Sequence, residues 1–469
     1  MNAESKPPIL VLLTSHWISM LGVALVTLAG LFWLLTLPLS VRGHASNPYS
    51  GLLVFVAIPA LFFAGLALIP VGVALARRRI QARVDLLTDR KNAIRRAARF
   101  FVAMSAINVV IASQVTYRAV EHMETVQFCG QTCHVMKPEF TAHAMTPPHQ
   151  AVACEECHIA PGAGGWFKAK FNGTNQLFAV MFNSHPRPIE SAMENQKLVS
   201  SAETCERCHA REKVIGSRLR TITSFKDDQE NSRTDTVLMM LVGGGSTGGI
   251  HGAHMGRGVH IRYAAEDKKR QTIPWFEYTT ESGAKKEYRA SGATADAVRS
   301  LETFEMQCVD CHNRASHAFE DPGRAIDQEL AAGRISQSLP YVKKIGLELM
   351  KAIYQSEEEA TKKIPVALTA FYQQKYVDIS ARQAASIESA GKVLATIYQR
   401  NVFPDLKVSW GTYPNNLGHT DFPGCFRCHD GDHATPAKET LSQDCDSCHN
   451  ALAMDEKSPA ILKTLGLSK

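Results

Sequence analysis

Cysteine and histidine recur together in this chain at a spacing that has a chemistry. All twelve cysteines fall into six close pairs, and each pair is followed at once by histidine. Five sets read Cys-x-x-Cys-His: Cys154/Cys157/His158, Cys205/Cys208/His209, Cys308/Cys311/His312, Cys425/Cys428/His429 and Cys445/Cys448/His449. The sixth, "CGQTCHVM", holds one extra residue between Cys129 and Cys133, ahead of His134. Two thiols this close can form two thioether links to a porphyrin, and the adjacent histidine then reaches the iron. A zinc site also uses cysteine pairs, but it has no need of a histidine directly after every second cysteine. A disulfide framework ignores the histidines altogether. The spacing therefore predicts six covalently attached haem c groups, with His134, His158, His209, His312, His429 and His449 as iron ligands.

A six-coordinate haem iron takes a second ligand, and twelve of the eighteen histidines lie outside the motifs. His149 precedes Cys154 by five residues, His317 follows His312 by five, His419 precedes Cys425 by six and His433 follows His429 by four. Each is a candidate ligand. The stretch "GIHGAHMGRGVH" has no haem motif of its own, and offers His251 or His254 ahead of His260. His185, His143 and His122 stand behind these. Haems packed edge to edge borrow ligands from neighbouring segments, so spacing leaves open which histidine serves which iron. At the sixth motif the longer bridge leaves two candidates for the first iron: His134, or Met136 through its thioether. This supply of imidazoles points to mostly six-coordinate centres, which pass electrons and seldom bind substrate.

Something must hold these motifs in place. Ile9 to Leu39 and Gly51 to Ala76 are uncharged apolar runs, and Phe100 to Tyr117 is a third, shorter one. Each of the first two is long enough to cross a bilayer. The first is too long and too poorly flanked for a cleaved signal peptide. Between the second and third runs lie Arg77, Arg78, Arg79, Arg83, Arg90, Lys91, Arg95, Arg96 and Arg99, against Asp85 and Asp89. Such a loop stays in the cytoplasm, which puts everything after Tyr117 on the far side. Haem is attached to c-type cytochromes outside the cytoplasmic membrane, so both signals place the haem region in a bacterial periplasm. Residues 1–117 carry 11 Lys+Arg against 3 Asp+Glu, a net positive charge, and the remainder is slightly acidic. A basic loop flanked by membrane spans does not read as a nucleic-acid site.

The sequence thus predicts a mainly α membrane protein. Three N-terminal transmembrane helices (1–117) precede a periplasmic multihaem cytochrome c domain with little regular structure. Residues 118–215 hold three motifs. Residues 216–305 carry β-like runs such as "TVLMMLV", "VHIRYAA" and "TIPWFEYTT", and supply axial histidine. Residues 306–469 hold the last three motifs around a cysteine-free helical insert, with helices expected at Tyr341 to Gln355 and Gln383 to Arg400. The glycine-rich "GGGSTGG" lacks the lysine of a phosphate loop and reads as a flexible turn.

In "CHVMKPEF", "PPHQAVACEECHIAPGAGGWFKAKFNG" and "AETCERCH" the chain resembles the NapC/NirT/NrfH family of membrane-anchored multihaem quinol dehydrogenases. The likeness covers roughly residues 118–215, with Cys308 to His312 as the matching fourth haem. It implies electrons taken from quinol in the membrane and passed to periplasmic or outer-membrane cytochromes or reductases. Met136 matches the family's methionine able to bind the first iron, and His149 matches a histidine that ligates a haem other than its nearest. Lys168 or Lys170 matches a lysine of the quinol pocket. The family's acidic residue beyond that lysine is missing, since Asn175 and Gln176 stand there. Three spans instead of one and the longer first bridge are further departures.

The leading expectation is electron transfer from the membrane quinone pool outward. The alternatives are the reverse flow, a terminal reductase of a small oxyanion, and a carrier subunit of a larger membrane complex. A reductase calls for an open iron, often marked by lysine in place of the motif histidine, and no Cys-x-x-Cys-Lys occurs.

Overall fold

The computed structural model describes residues 13–14, 16–40, 57–81, 86–132, 134–210, 213–243 and 248–467. About half of this chain is helical, with some strands. It divides into two compact units, Met1–Thr132 and Cys133–Lys469.

The first unit is built from α1 (Trp17–Ser40), α2 (Ile58–Gln81) and α3 (Leu86–Met123). Two stretches are long and apolar enough to cross a membrane, Ile58–Ala76 and Ile94–Met123, and Trp17–Phe32 is a shorter apolar one. Residues 9–12 and 51–56 of the expected spans lie outside the described residues. Phe63, Val102, Val109 and Val110 point their apolar surface outward, as lipid-facing residues do. Gly22 and Gly65 let α1 and α2 meet backbone to backbone. A Cβ at Gly22 would lie 2.7 Å from the Gly65 carbonyl oxygen, and one at Gly65 would lie 2.9 Å from the Gly22 oxygen. Small residues at such a seam are what helix pairs use where the surroundings are themselves apolar. The boundary expected at residue 117 falls inside α3, which runs unbroken to Met123.

In the second unit, α4 (Lys137–Ala144) and α5 (Gly162–Met181) are the longer elements of the early haem segment, joined by short turns. Two antiparallel sheets follow. The first pairs β1 (Arg218–Phe225) with β2 (Arg233–Met240). After α6 (Gly249–Met255) comes a second sheet of β3 (His260–Ala264), β4 (Trp275–Thr279), β5 (Lys285–Arg289) and β6 (Thr303–Glu305), in the order β5-β4-β3-β6. All three quoted β-like runs contribute strands. The helical insert comprises α7 (Pro322–Ala331), α8 (Val342–Lys351), α9 (Glu357–Lys375) and α10 (Ala384–Asn401). Two of these match the helices expected from periodicity to within a few residues. One more strand, β7 (His449–Glu456), pairs with β2 and so completes the first sheet from the far end of the chain. The β-rich segment and the C-terminal haem segment therefore share a sheet.

The insert explains itself locally. Asp321 caps α7 by accepting from the Arg324 amide, and Ser356 caps α9 by accepting from the Glu359 amide. Glu357, Glu358 and Glu359 fill the positive first turn of α9. Ile364, Leu368 and Tyr372 repeat every four residues on α9 and face Ile387, Leu394 and Ile397 of α10, all fully or almost fully buried. Each such side chain contributes roughly 1.5–3 kcal/mol by leaving water.

Candidate haem-iron centres

Each described Cys-x-x-Cys-His set folds as one turn of helix. The His158 and His209 amides donate to the carbonyls of Cys154 (3.1 Å) and Cys205 (2.8 Å), and the His312 and His429 amides to those of Cys308 (2.8 Å) and Cys425 (3.1 Å). In the last set the Cys448 amide reaches the Cys445 carbonyl at 3.0 Å. Residues three and four apart share a face on such a turn, so both thiols and the imidazole project together. The first set differs. Phe128–Thr132 is a π-helical turn, whose wider pitch takes up the extra residue after Cys129. Cys133 and the His134 side chain lie outside the described residues; Met136 is half-buried in a 3-10 turn, His134–Met136.

Five motif histidines each face a second imidazole. Ring centroids are 6.0 Å apart for His149 and His209, 6.1 Å for His317 and His158, and 6.1 Å for His251 and His312. They are 5.8 Å apart for His254 and His429, and 6.2 Å for His419 and His449. A metal ion about 2 Å from a nitrogen of each ring sets the two centroids roughly 6 Å apart. The spacing fits a haem iron between each pair, with the paired cysteines beside it. Among the described residues no three or more His, Cys, Asp or Glu side chains converge as a metal cluster.

The rings are oriented as ligands need to be. His149 Nδ1 lies 2.9 Å from the Ala315 carbonyl oxygen, and His317 Nδ1 lies 3.0 Å from that of Glu139. His251, His254 and His429 hold Nδ1 at the carbonyls of Val242 (3.2 Å), Ile250 (2.7 Å) and Ser442 (3.0 Å). A carbonyl can only accept, so Nδ1 carries the proton and Nε2 keeps its lone pair for iron. Burial pushes His158, His254 and His312 below the usual histidine range, and His317 down to about 4. Neutral imidazole is the ligating form.

Two candidates face motifs other than the nearest one in the chain. His317 lies five residues from His312 yet sits beside His158, and His419 lies next to the fifth motif yet sits beside His449. His433, expected as a ligand from its place after His429, meets no motif ring. It is buried, with Nδ1 2.9 Å from the Asp430 carboxylate and Nε2 2.7 Å from the Ile273 carbonyl. Both nitrogens are committed to oxygen acceptors, so this histidine braces the loop after the fifth motif. His260 is likewise bound to Glu305 (3.1 Å). His143, ranked behind the others, is buried 5.9 Å from His317; Nδ1 meets Ser316 Oγ at 2.5 Å, and its Nε2 has no partner.

One device was missed. The fourth and fifth motifs are tied through the residues between their cysteines. Arg427, inside Cys425–Cys428, donates to the carbonyl of Asp310, inside Cys308–Cys311, at 2.6 Å, and to the Arg270 carbonyl at 2.8 Å. Arg270 in turn donates to the Asp310 carboxylate at 2.9 Å, and the Tyr263 hydroxyl donates to it as well. Helix α6 reinforces the tie, since His251 faces the fourth motif and His254, one turn on, faces the fifth. Arg427 uses a backbone carbonyl, which any residue offers, so the tie leaves no pattern in the sequence.

Lys168 and Lys170 both lie on α5. Lys168 is exposed, and Lys170 Nζ sits 5.2 Å above the Trp166 ring.

Residues 91–235 match the NapC/NirT cytochrome c family, N-terminal region. A cytochrome c-type protein, ImcH, of Geobacter sulfurreducens is 36% identical over 449 residues, which span 93% of this chain and 87% of that protein. The chain belongs to the NapC/NirT cytochrome c family. No solved structure matches it. As a member of that family it is a membrane-anchored multihaem cytochrome c, which binds haem c covalently and transfers electrons.

Proposed function

We propose that this NapC/NirT-family cytochrome carries six haems and passes electrons from membrane quinol to periplasmic redox partners. The observation that carries this reading is the set of five imidazole pairs at 5.8–6.2 Å, one on each described Cys-x-x-Cys-His set. Bound there, haem supplies a series of one-electron carriers. His149, His317, His251, His254 and His419 would supply the second imidazole at the irons held by His209, His158, His312, His429 and His449 respectively. With an imidazole on each side, these five centres leave no position for a small oxyanion, which favours conduction over terminal reduction. The Nδ1–carbonyl bonds hold His149, His317, His251, His254 and His429 in place, which limits rearrangement on a change of charge. Cys129 and Cys133 would hold the remaining haem, and Met136 in place of His134 would bind its iron.

Three spans anchor the chain, with the basic loop of residues 77–99 in the cytoplasm and the haem region in the periplasm. Quinol oxidation releases two electrons and two protons, and Lys168 and Lys170 serve the quinol head group near the membrane surface. The full chain in liposomes should be reduced on addition of menaquinol, and its intact mass should exceed the polypeptide by six haem units. Replacing Lys168 and Lys170 together with alanine should slow that reduction at least tenfold while dithionite reduction stays unchanged. No reduction by quinol overturns the quinol reading, and a mass of five haems removes Cys129/Cys133 from the set.

A further inference from the structure

Helix α5 presents a surface that the quinol reading does not use. Phe167, Phe171, Phe178 and Phe182 are 57%, 73%, 50% and 72% exposed. At about 100° per residue they fall within roughly 60° of arc, one stripe down the helix and its C-terminal cap. The Phe178 and Phe182 rings stack 6.4 Å apart with planes 12° off parallel, a flat apolar face turned to solvent. Lys168 and Lys170 flank the stripe, one on each side. On the opposite side Trp166, Ala169, Asn172, Ala179 and Val180 are half-buried, while Gly173 and Gln176 are exposed. Among the described residues no other helix or strand packs along α5. Single exposed apolar side chains are ordinary, but four phenylalanines in one line mark a surface that is covered in use.

We infer that α5 lies in the surface of the lipid bilayer, with its phenylalanine stripe among the acyl chains and its lysines among the headgroups. Three observations favour lipid over a protein partner. The same chain carries the apolar helices Ile58–Ala76 and Ile94–Met123. α5 contains no acidic residue, and its two lysines suit anionic headgroups. Aromatic side chains on one face with lysines at the border is the pattern of helices that lie in the interface plane. The inference rests on the quinol reading in placing α5 at the membrane, and its test reads lipid contact and no redox activity, so the two fail separately.

The full haem-loaded chain, reconstituted in phosphatidylethanolamine–phosphatidylglycerol vesicles, would be photolabelled with a phospholipid bearing a diazirine at its acyl terminus. Peptides covering residues 162–182 should carry lipid adducts at least tenfold above those of α9, in company with peptides of Ile94–Met123. The paired substitutions Phe178→Ser and Phe182→Ser should cut the α5 adducts at least fivefold with the haem absorbance unchanged. Adducts confined to the spanning helices overturn the inference, as does labelling that the serine variant leaves intact. A protein–protein crosslink at residues 162–182 in place of lipid adducts overturns it in favour of a partner chain.

Discussion

Residues 322–402 and residues 134–216 belong to the same compact unit and are held together in opposite ways. The helical insert brings its own core, with Ile326, Ile335, Leu339, Ile364, Leu368, Tyr372 and Leu394 fully buried. In 134–216, among the described residues, the buried apolar side chains are Val135, Pro138 and Ala142. What converges there instead is chemistry: cysteine pairs, and imidazoles pinned by carbonyls. One region folds by excluding water from side chains, and the other by placing ligands. The difference teaches where each is vulnerable.

Three experiments can break or sharpen that contrast. The largest effect should come from preventing one haem attachment with Cys205→Ser and Cys208→Ser together. Limited proteolysis should then cut within residues 134–216 at least tenfold faster, while 322–402 keeps its resistance. Equal resistance in both would mean that the haem segment holds together without its cofactor. The reverse case is Lys343→Met. Lys343 Nζ lies 2.6 Å from the Asp327 carboxylate, and both side chains are buried. Leaving that carboxylate unpaired should cost about 3 kcal/mol. Denaturant unfolding followed by far-UV circular dichroism should report it, with the haem absorbance unmoved. The smallest and most local effect concerns ligands. His254→Ala should convert one centre to high spin in low-temperature electron paramagnetic resonance, and His433→Ala should convert none. A high-spin signal from the second variant would put His433 on an iron.

The sequence made the attachment sites legible because a c-type haem is fixed by residues three and four apart, a local pattern. The helices of the insert were legible for the same reason: Ile364, Leu368 and Tyr372 recur at the helical period. Strands β2, β3 and β4 were visible as apolar runs. Their closure by β7 was not, because "HNALAMDE" lies more than two hundred residues from its partner and carries only one buried side chain, Ala453. Second ligands were harder still. His149, His251 and His254 could be named as candidates, but pairing is decided by tertiary contact. His158 and His317 are 159 residues apart, and no spacing rule spans that distance. His433 shows the converse, for a histidine four residues from a motif was the natural candidate, and a carbonyl and a carboxylate claimed both its nitrogens.

The order of the ring pairs along the chain has a consequence for how the molecule is made. In four pairs the histidine from outside the motif comes first: His149 before His209, His251 before His312, His254 before His429, and His419 before His449. By the time haem is attached at those motifs, the opposing imidazole has already been synthesised. The pair of His158 and His317 is reversed. Chains grow at about 5–20 residues per second, so His317 trails His158 by roughly ten to thirty seconds. On the proposed pairing the second centre would have one imidazole and an open side during that interval, and its completion would wait on the segment that also carries the fourth motif. A nascent chain interrupted before residue 317 would carry a haem able to bind carbon monoxide, a reactivity that the finished protein closes off.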